Sequence, residues 1–292
     1  MIARMRRRAF GVRLVGGLIG CLGAGTPVGA QDTAAEPTWA RNARAIHGSF
    51  TGPPGTLALF GDSITESLAF WAPLAEERKP APPNIEAAFA RVKARLRPEC
   101  WSEWRGEAFG NASKTTVAWA RQNVDRWLET LKPEVALIMF GSNDLPDRDQ
   151  RGYRIALVAV AEACIKRGTV PIVSTVPPRS GLAAEAAAFS QNVRVVAREL
   201  DVPLIDYHAE ILARRPLDWD GTTAAAPGGD PYEVLTLISG DGVHPSNPAR
   251  YFKDYSDEAL RISGFGLRTA QALLVYDAVI SVINAAGRLK QV

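Results

Sequence analysis

The chain has 292 residues, 47% hydrophobic, 8% aromatic and 22% charged, which suits one enzyme-sized core and excludes a disordered or low-complexity polymer. Lys and Arg outnumber Asp and Glu by 34 to 31, but five of the basic residues are Arg4, Arg6, Arg7, Arg8 and Arg13. Without that cluster the balance is 29 to 31, a net charge of −2, and no basic face argues for nucleic acid.

In chain order, residues 1–30 read as an export leader. The arginines precede Leu14-Val15-Gly16-Gly17-Leu18-Ile19-Gly20-Cys21-Leu22, and Val28-Gly29-Ala30 offers a small-residue cleavage site. Arg7-Arg8-Ala9-Phe10 resembles a twin-arginine motif, and Leu18-Ile19-Gly20-Cys21 resembles a lipobox that would anchor the chain through a lipid on Cys21. Cleavage after Ala30 is favoured, because the run before Cys21 is short and Arg13 stands close to its start. The expectation is an exported domain, periplasmic or secreted, with the Cys21 anchor as alternative. A Pro- and Gly-rich lead-in covers 31–55, and the catalytic domain is expected over 56–292. No later segment reaches the roughly 18–20 apolar residues of a transmembrane helix.

From Thr56 onward strands and helices alternate. Leu57-Ala58-Leu59-Phe60 predicts a buried strand, and Ser63 opens a helix towards Phe70. An Ala- and Pro-rich connection with a helix over 86–95 leads to a strand over 102–108 and a helix over 116–131. Val135-Ala136-Leu137-Ile138-Met139-Phe140 predicts the third strand. A helix over 153–167, a strand over 170–175, a helix over 183–200 and a strand over 202–207 follow. This order predicts a three-layer α/β/α sandwich, a parallel five-stranded sheet with helices on both faces. Residues 218–232 form a loop, either a lid or a surface excursion; 247–260 is an elaboration and 266–286 a closing helix.

Two polar runs stand at strand ends, where open α/β sheets bind ligands: Gly61-Asp62-Ser63-Ile64-Thr65 and Gly141-Ser142-Asn143-Asp144. A serine hydroxyl is a weak nucleophile until an imidazole takes its proton, and a carboxylate fixes that imidazole's tautomer. Asp241-Gly242-Val243-His244-Pro245 supplies both groups three residues apart. Donors for the negative oxygen of a tetrahedral intermediate come from Phe109-Gly110-Asn111-Ala112-Ser113, where Gly110 has no Cβ, and from the Asn143 amide. Singly, these runs are ordinary turns and caps. Together they read as a serine hydrolase.

The four runs, in this order, resemble the SGNH (GDSL) hydrolase superfamily over roughly Thr56 to His244. The resemblance implies a flavodoxin-like fold, Ser63 as nucleophile, and Asp241 and His244 as the other triad members. It implies an oxyanion hole of the Ser63 N–H, Gly110 and Asn143. Ser113 stands where family members commonly carry a second glycine, which leaves the donor from Gly110 open. The expected reaction is hydrolysis of a carboxylic ester through an acyl-enzyme, the substrate a small ester or an O-acetyl group on a glycan. The alternatives are a lipase or thioesterase of the same fold, or a non-catalytic carbohydrate-binding or scaffold protein. The last is disfavoured because Ser63, Asn143, Asp241 and His244 are all present.

Asp206 and His208 are the one rival acid/base pair, on the same face of a strand by alternation, and without a Gly-rich turn a structural role is favoured. His47 lies in the lead-in. Cys100 and Cys164 either pair or pack separately, and with no Cys/His cluster and no His-Glu-x-x-His run, neither metal nor cofactor is expected. Trp71, Trp101, Trp104 and Trp219 either pack or stack on a sugar; Trp219, in a polar loop, leans towards substrate binding.

Overall fold

The computed structural model describes residues 36–224 and 226–289. Its sheet is made from apolar runs: β1 (Leu57–Gly61), β2 (Val135–Met139), β3 (Val170–Ser174) and β4 (Leu204–Ile205). The strands are parallel in the order β1-β2-β3-β4, with Leu57 opposite Val135 and Val135 opposite Val170. Every residue of β1, β2 and β3 is buried, as befits strands covered on both faces. The helices are α1 (Ala40–His47), α2 (Ser63–Glu66), α3 (Pro83–Lys93), α4 (Glu99–Ser102), α5 (Val117–Leu131), α6 (Gln150–Lys166), α7 (Ala183–Glu199), α8 (Tyr207–Arg214) and α9 (Gly264–Leu289). α6 packs between α5 and α7, while α9 packs on α1, α3 and α8. The result is an α/β fold with helices flanking a parallel sheet, all within residues 37–292. The expected leader over 1–30, with Cys21, lies outside the described residues.

The expected strand over 102–108 does not form, so the sheet has four strands among the described residues instead of five. Gly106, at φ 91°, turns the chain, and the segment becomes α4 and a 3-10 turn at Glu107–Phe109. Residues 110–112 close the edge of β1 instead: Gly61 N donates to Gly110 O at 3.0 Å, Ala112 N donates to Gly61 O at 3.2 Å, and the Asn111 side chain completes the edge. Buried Asn111 donates through Nδ2 to Leu59 O at 2.9 Å and Trp104 O at 3.1 Å, while its Oδ1 accepts from Gly106 N at 3.0 Å. One amide thus satisfies a strand carbonyl that a neighbouring strand would otherwise have to serve.

Other expectations are corrected locally. α2 is a single turn, because Ser67 leaves helical backbone at ψ 130°. β4 stops at Ile205 because Asp206 caps α8, accepting from Ala209 N at 3.3 Å. Cys100 and Cys164 are both buried and free. The stretch Gly264–Ala285 is by length and composition apolar enough to cross a membrane, although Arg268 and Asp277 interrupt it; most of it is buried in the protein.

Candidate active site

Ser63 stands just beyond the carboxyl end of β1, at the first position of α2, because Asp62 Oδ1 accepts from Ile64 N at 3.1 Å and starts the helix. From the far end of the chain, Ser239 N donates to His244 O at 2.8 Å, and Gly242, at φ 72°, turns the loop between them. The Ser63 Oγ lies 2.9 Å from His244 Nε2, and His244 Nδ1 lies 2.7 Å from Asp241 Oδ2. The other Asp241 oxygen accepts from Ser239 Oγ at 2.6 Å and from the N–H groups of Val243 and His244 at 2.8 and 2.9 Å. Burial pushes the Asp241 carboxyl up, but the hydrogen bonds from His244, Ser239 and the backbone outweigh it and hold it well below the usual range. A permanent acceptor at Nδ1 keeps the imidazole proton there. Nε2 is then free to accept from the Ser63 hydroxyl.

Beneath the serine lie charges that the sequence reading did not foresee. Burial raises the Asp62 carboxyl to about 6, against the pull of the Ile64 N–H, Arg268 and His244. Burial likewise raises Asp144 to about 7, and the nearby Asp62 adds to the rise. Buried Arg268, from α9, donates to Ile64 O at 2.7 Å and Thr65 Oγ1 at 2.8 Å, and its guanidinium lies 3.7 Å from the Phe70 ring centroid. Arg105 donates to Thr65 O and Phe70 O. A four-residue helix has no internal partners for its last carbonyls, so these guanidinium groups hold the turn that carries Ser63.

A cavity of about 570 Å³ opens over Ser63 and His244, bordered by Glu66, Ser113, Lys114, Asn143 and Tyr232 among others. Asn143 donates one Nδ2 hydrogen to Thr115 O at 2.9 Å, which aims the amide and leaves its second hydrogen for a ligand. Gly110 is not brought to this cavity. Its N–H donates to Glu107 O at 3.3 Å, and a Cβ there would fall 2.4 Å from Phe60 Cδ1 and 3.0 Å from Trp127 Cε3. Gly110 therefore lets the loop lie on the core. Ser113 and Lys114 line the cavity in its stead; Lys114 takes φ 64°, and neither N–H has an acceptor among the described residues.

Trp219 packs on the core and does not line the cavity; Tyr232, near the end of the same loop, does. Trp71 is fully buried and stacks on Trp101 at 5.7 Å. Asp206 and His208 do not share a strand face. Asp206 is bound to Arg194 at 2.7 and 2.9 Å, and His208 is buried in α8. His47 lies 2.9 Å from Glu134, before the amino end of β2.

No curated protein matches the chain. Solved structures similar to it include a GDSL-like lipase from Bacteroides thetaiotaomicron, at 14% identity over 83% of this chain and 97% of that one, TM-score 0.46. Others are a psychrotrophic esterase from Pseudoalteromonas (14%, 79% and 99%, 0.45) and a mutant acetylxylan esterase from Geobacillus stearothermophilus (14%, 80% and 96%, 0.45). The profile of the GDSL-like lipase/acylhydrolase family matches residues 59–249, well over half of the chain. The protein belongs to that family and is an ester hydrolase.

Proposed function

We propose that the protein is an exported serine esterase that cleaves a carboxylic ester with a short acyl group through an acyl-enzyme on Ser63. The observation that carries this reading is the unbroken relay from Ser63 Oγ to His244 Nε2 and from His244 Nδ1 to Asp241. His244 takes the hydroxyl proton as Ser63 Oγ bonds to the ester carbon, then returns it to the leaving alcohol as the C–O bond breaks; water repeats the sequence and frees the acid. The negative carbonyl oxygen is met by the Ser63 N–H, the Asn143 amide and the N–H groups of the 113–114 turn, which take the part first assigned to Gly110. Glu66, Ser113, Lys114 and Asn143 make the surroundings of Ser63 polar, which favours a short acyl group over a long chain. Export rests on the arginine cluster, apolar run and small-residue site of residues 1–30.

The test is turnover of short-chain nitrophenyl esters combined with labelling by an alkyl fluorophosphonate. Hydrolysis with one label per chain, on Ser63, is expected. Hydrolysis without labelling of Ser63 would remove it from the role of nucleophile.

A further inference from the structure

Beside the Ser63 cavity lies a second, of about 420 Å³, and the two share Ser67, Tyr232 and Phe265. The Tyr232 ring stands 6.1 Å from the His244 imidazole. That position decides which half of an ester belongs there. His244 returns the proton to the leaving oxygen, so the alcohol lies on the imidazole side of the scissile bond.

Two segments apart from the four motif runs, 230–233 and 247–252, supply most of the lining of this second cavity. Glu233 accepts the Ala249 N–H through both carboxylate oxygens, at 2.9 and 3.2 Å, and Asn247 N donates to Tyr232 O at 3.0 Å. The walls are therefore fastened to each other before any ligand arrives. Phe252, 36% exposed, and Tyr232 line it with aromatic rings. The Asn247 amide and the Tyr232 hydroxyl have no hydrogen-bond partner among the described residues. Asp230 and Glu233 add carboxylate oxygens, and no Lys, Arg or His lines the cavity. Lys253, whose ammonium lies 5.2 Å from the Phe252 ring centroid, is paired with Glu76 at 2.5 Å. Aromatic rings beside free neutral donors and carboxylate acceptors suit a hydroxylated ring with an apolar C–H face. Two carboxylates without a lining cation repel a phosphate or a second carboxylate.

We propose that this second cavity binds the alcohol half of the substrate, and that this half is an uncharged sugar ring carrying the scissile ester. The proposal rests on the serine-esterase reading and extends it to the leaving group.

The experiment compares nitrophenyl acetate with a mono-O-acetylated methyl glucopyranoside and its uronate analogue, on the full chain. Phe252→Ala and Asn247→Ala should each lower kcat/KM for the glucopyranoside about tenfold relative to nitrophenyl acetate. The uronate should be about tenfold poorer than the neutral ester, and Asp230→Asn should narrow that gap. The proposal is overturned if neither variant moves the ratio, or if the wild type prefers the uronate or acetyl-coenzyme A to the neutral sugar. A wild type that cleaves no ester and leaves Ser63 unlabelled would instead sink the serine-esterase reading, and the sugar site with it.

Discussion

At the amino end of β2, buried Glu134 meets His47 Nε2 at 2.9 Å, the Gly55 N–H at 2.8 Å and the Arg95 guanidinium. At the carboxyl end of β1, Asp62 is equally buried, yet it has the Ile64 N–H on one oxygen and only the weaker pull of Arg268, His244 and the Ser142 backbone besides. Burial pushes both carboxyls up. The partners of Glu134 overcome that push and leave it below the usual range, whereas Asp62 ends at about 6 and Asp144, after β2, at about 7. Where carboxylate and cations are matched, the network ties α1 and the chain after α3 to the sheet. Where they are not, unoffset carboxyls lie beside Ser63, in the kind of surroundings in which perturbed carboxyls cluster at functional sites.

The sharpest way to break this contrast is one substitution at each end. Ser63→Ala should lower ester turnover by about three orders of magnitude or more with melting unchanged, since the covalent route is lost while the oxyanion donors remain. Glu134→Gln should do the reverse, destabilising by roughly 2–3 kcal/mol with kcat unaltered. That is less than the ~3–5 kcal/mol of a fully buried pair, because Arg95 and His47 are about a quarter exposed. Loss of turnover in Glu134→Gln at temperatures where it is folded would erase the distinction. His244→Ala should match Ser63→Ala, and Asp241→Asn should cost as much or less. Their combination should be far from additive, because the three groups act as one relay. Asn143→Ala should lower kcat about 10²–10³-fold with KM little changed. An unchanged kcat would reduce Asn143 to a buttress for Thr115.

Ser63, Asn143, Asp241 and His244 could be located from the sequence because each lies in a short polar run whose spacing fixes its backbone. Gly110 shows the limit of that reading. A glycine at positive φ reads the same whether it faces a ligand or the core, and contact with Phe60 and Trp127 turned it inward. Arg268 is bonded to a carbonyl 204 residues away, and its one trace in the sequence is that it is one of few charges in an apolar helix. Tyr232 carries no signal in the sequence to set it above the larger Trp219, because the end of the 218–232 loop that meets His244 is held by long-range contacts such as that from Asn247 N to Tyr232 O. The absent strand over 102–108 has the same origin: its place at the edge of β1 is taken by the 110–112 backbone and the Asn111 side chain, a contact that no periodicity encodes.

The smallest expected effect is a change of sign with pH. Asp144 rises in the folded chain from an ordinary 3.8 to about 7, so within that window the folded protein keeps a proton that the unfolded chain has released. Stability from this group therefore drains as pH climbs from about 4 to 7. Asp144→Asn cannot ionise, yet it keeps an oxygen for the Val117 N–H, which the carboxylate accepts at 3.1 Å. The Tm of this variant minus that of the wild type should be near zero at pH 4 and grow by several degrees by pH 8. Glu134 runs the opposite way. Its carboxyl is lowered from 4.5, so its stabilisation is present above that value and lost as pH falls, and the deficit of Glu134→Gln should shrink in acid. Thermal melts of both variants from about pH 3 to 8 should give a difference curve that climbs between about pH 4 and 7 for Asp144→Asn, and for Glu134→Gln a deficit that is level above about pH 5.5 and shrinks below about 4.5. A flat Asp144→Asn curve would mean that the carboxylate beside Asn143 is solvated after all, and the contrast between the two ends of the sheet would then rest on Asp62 alone.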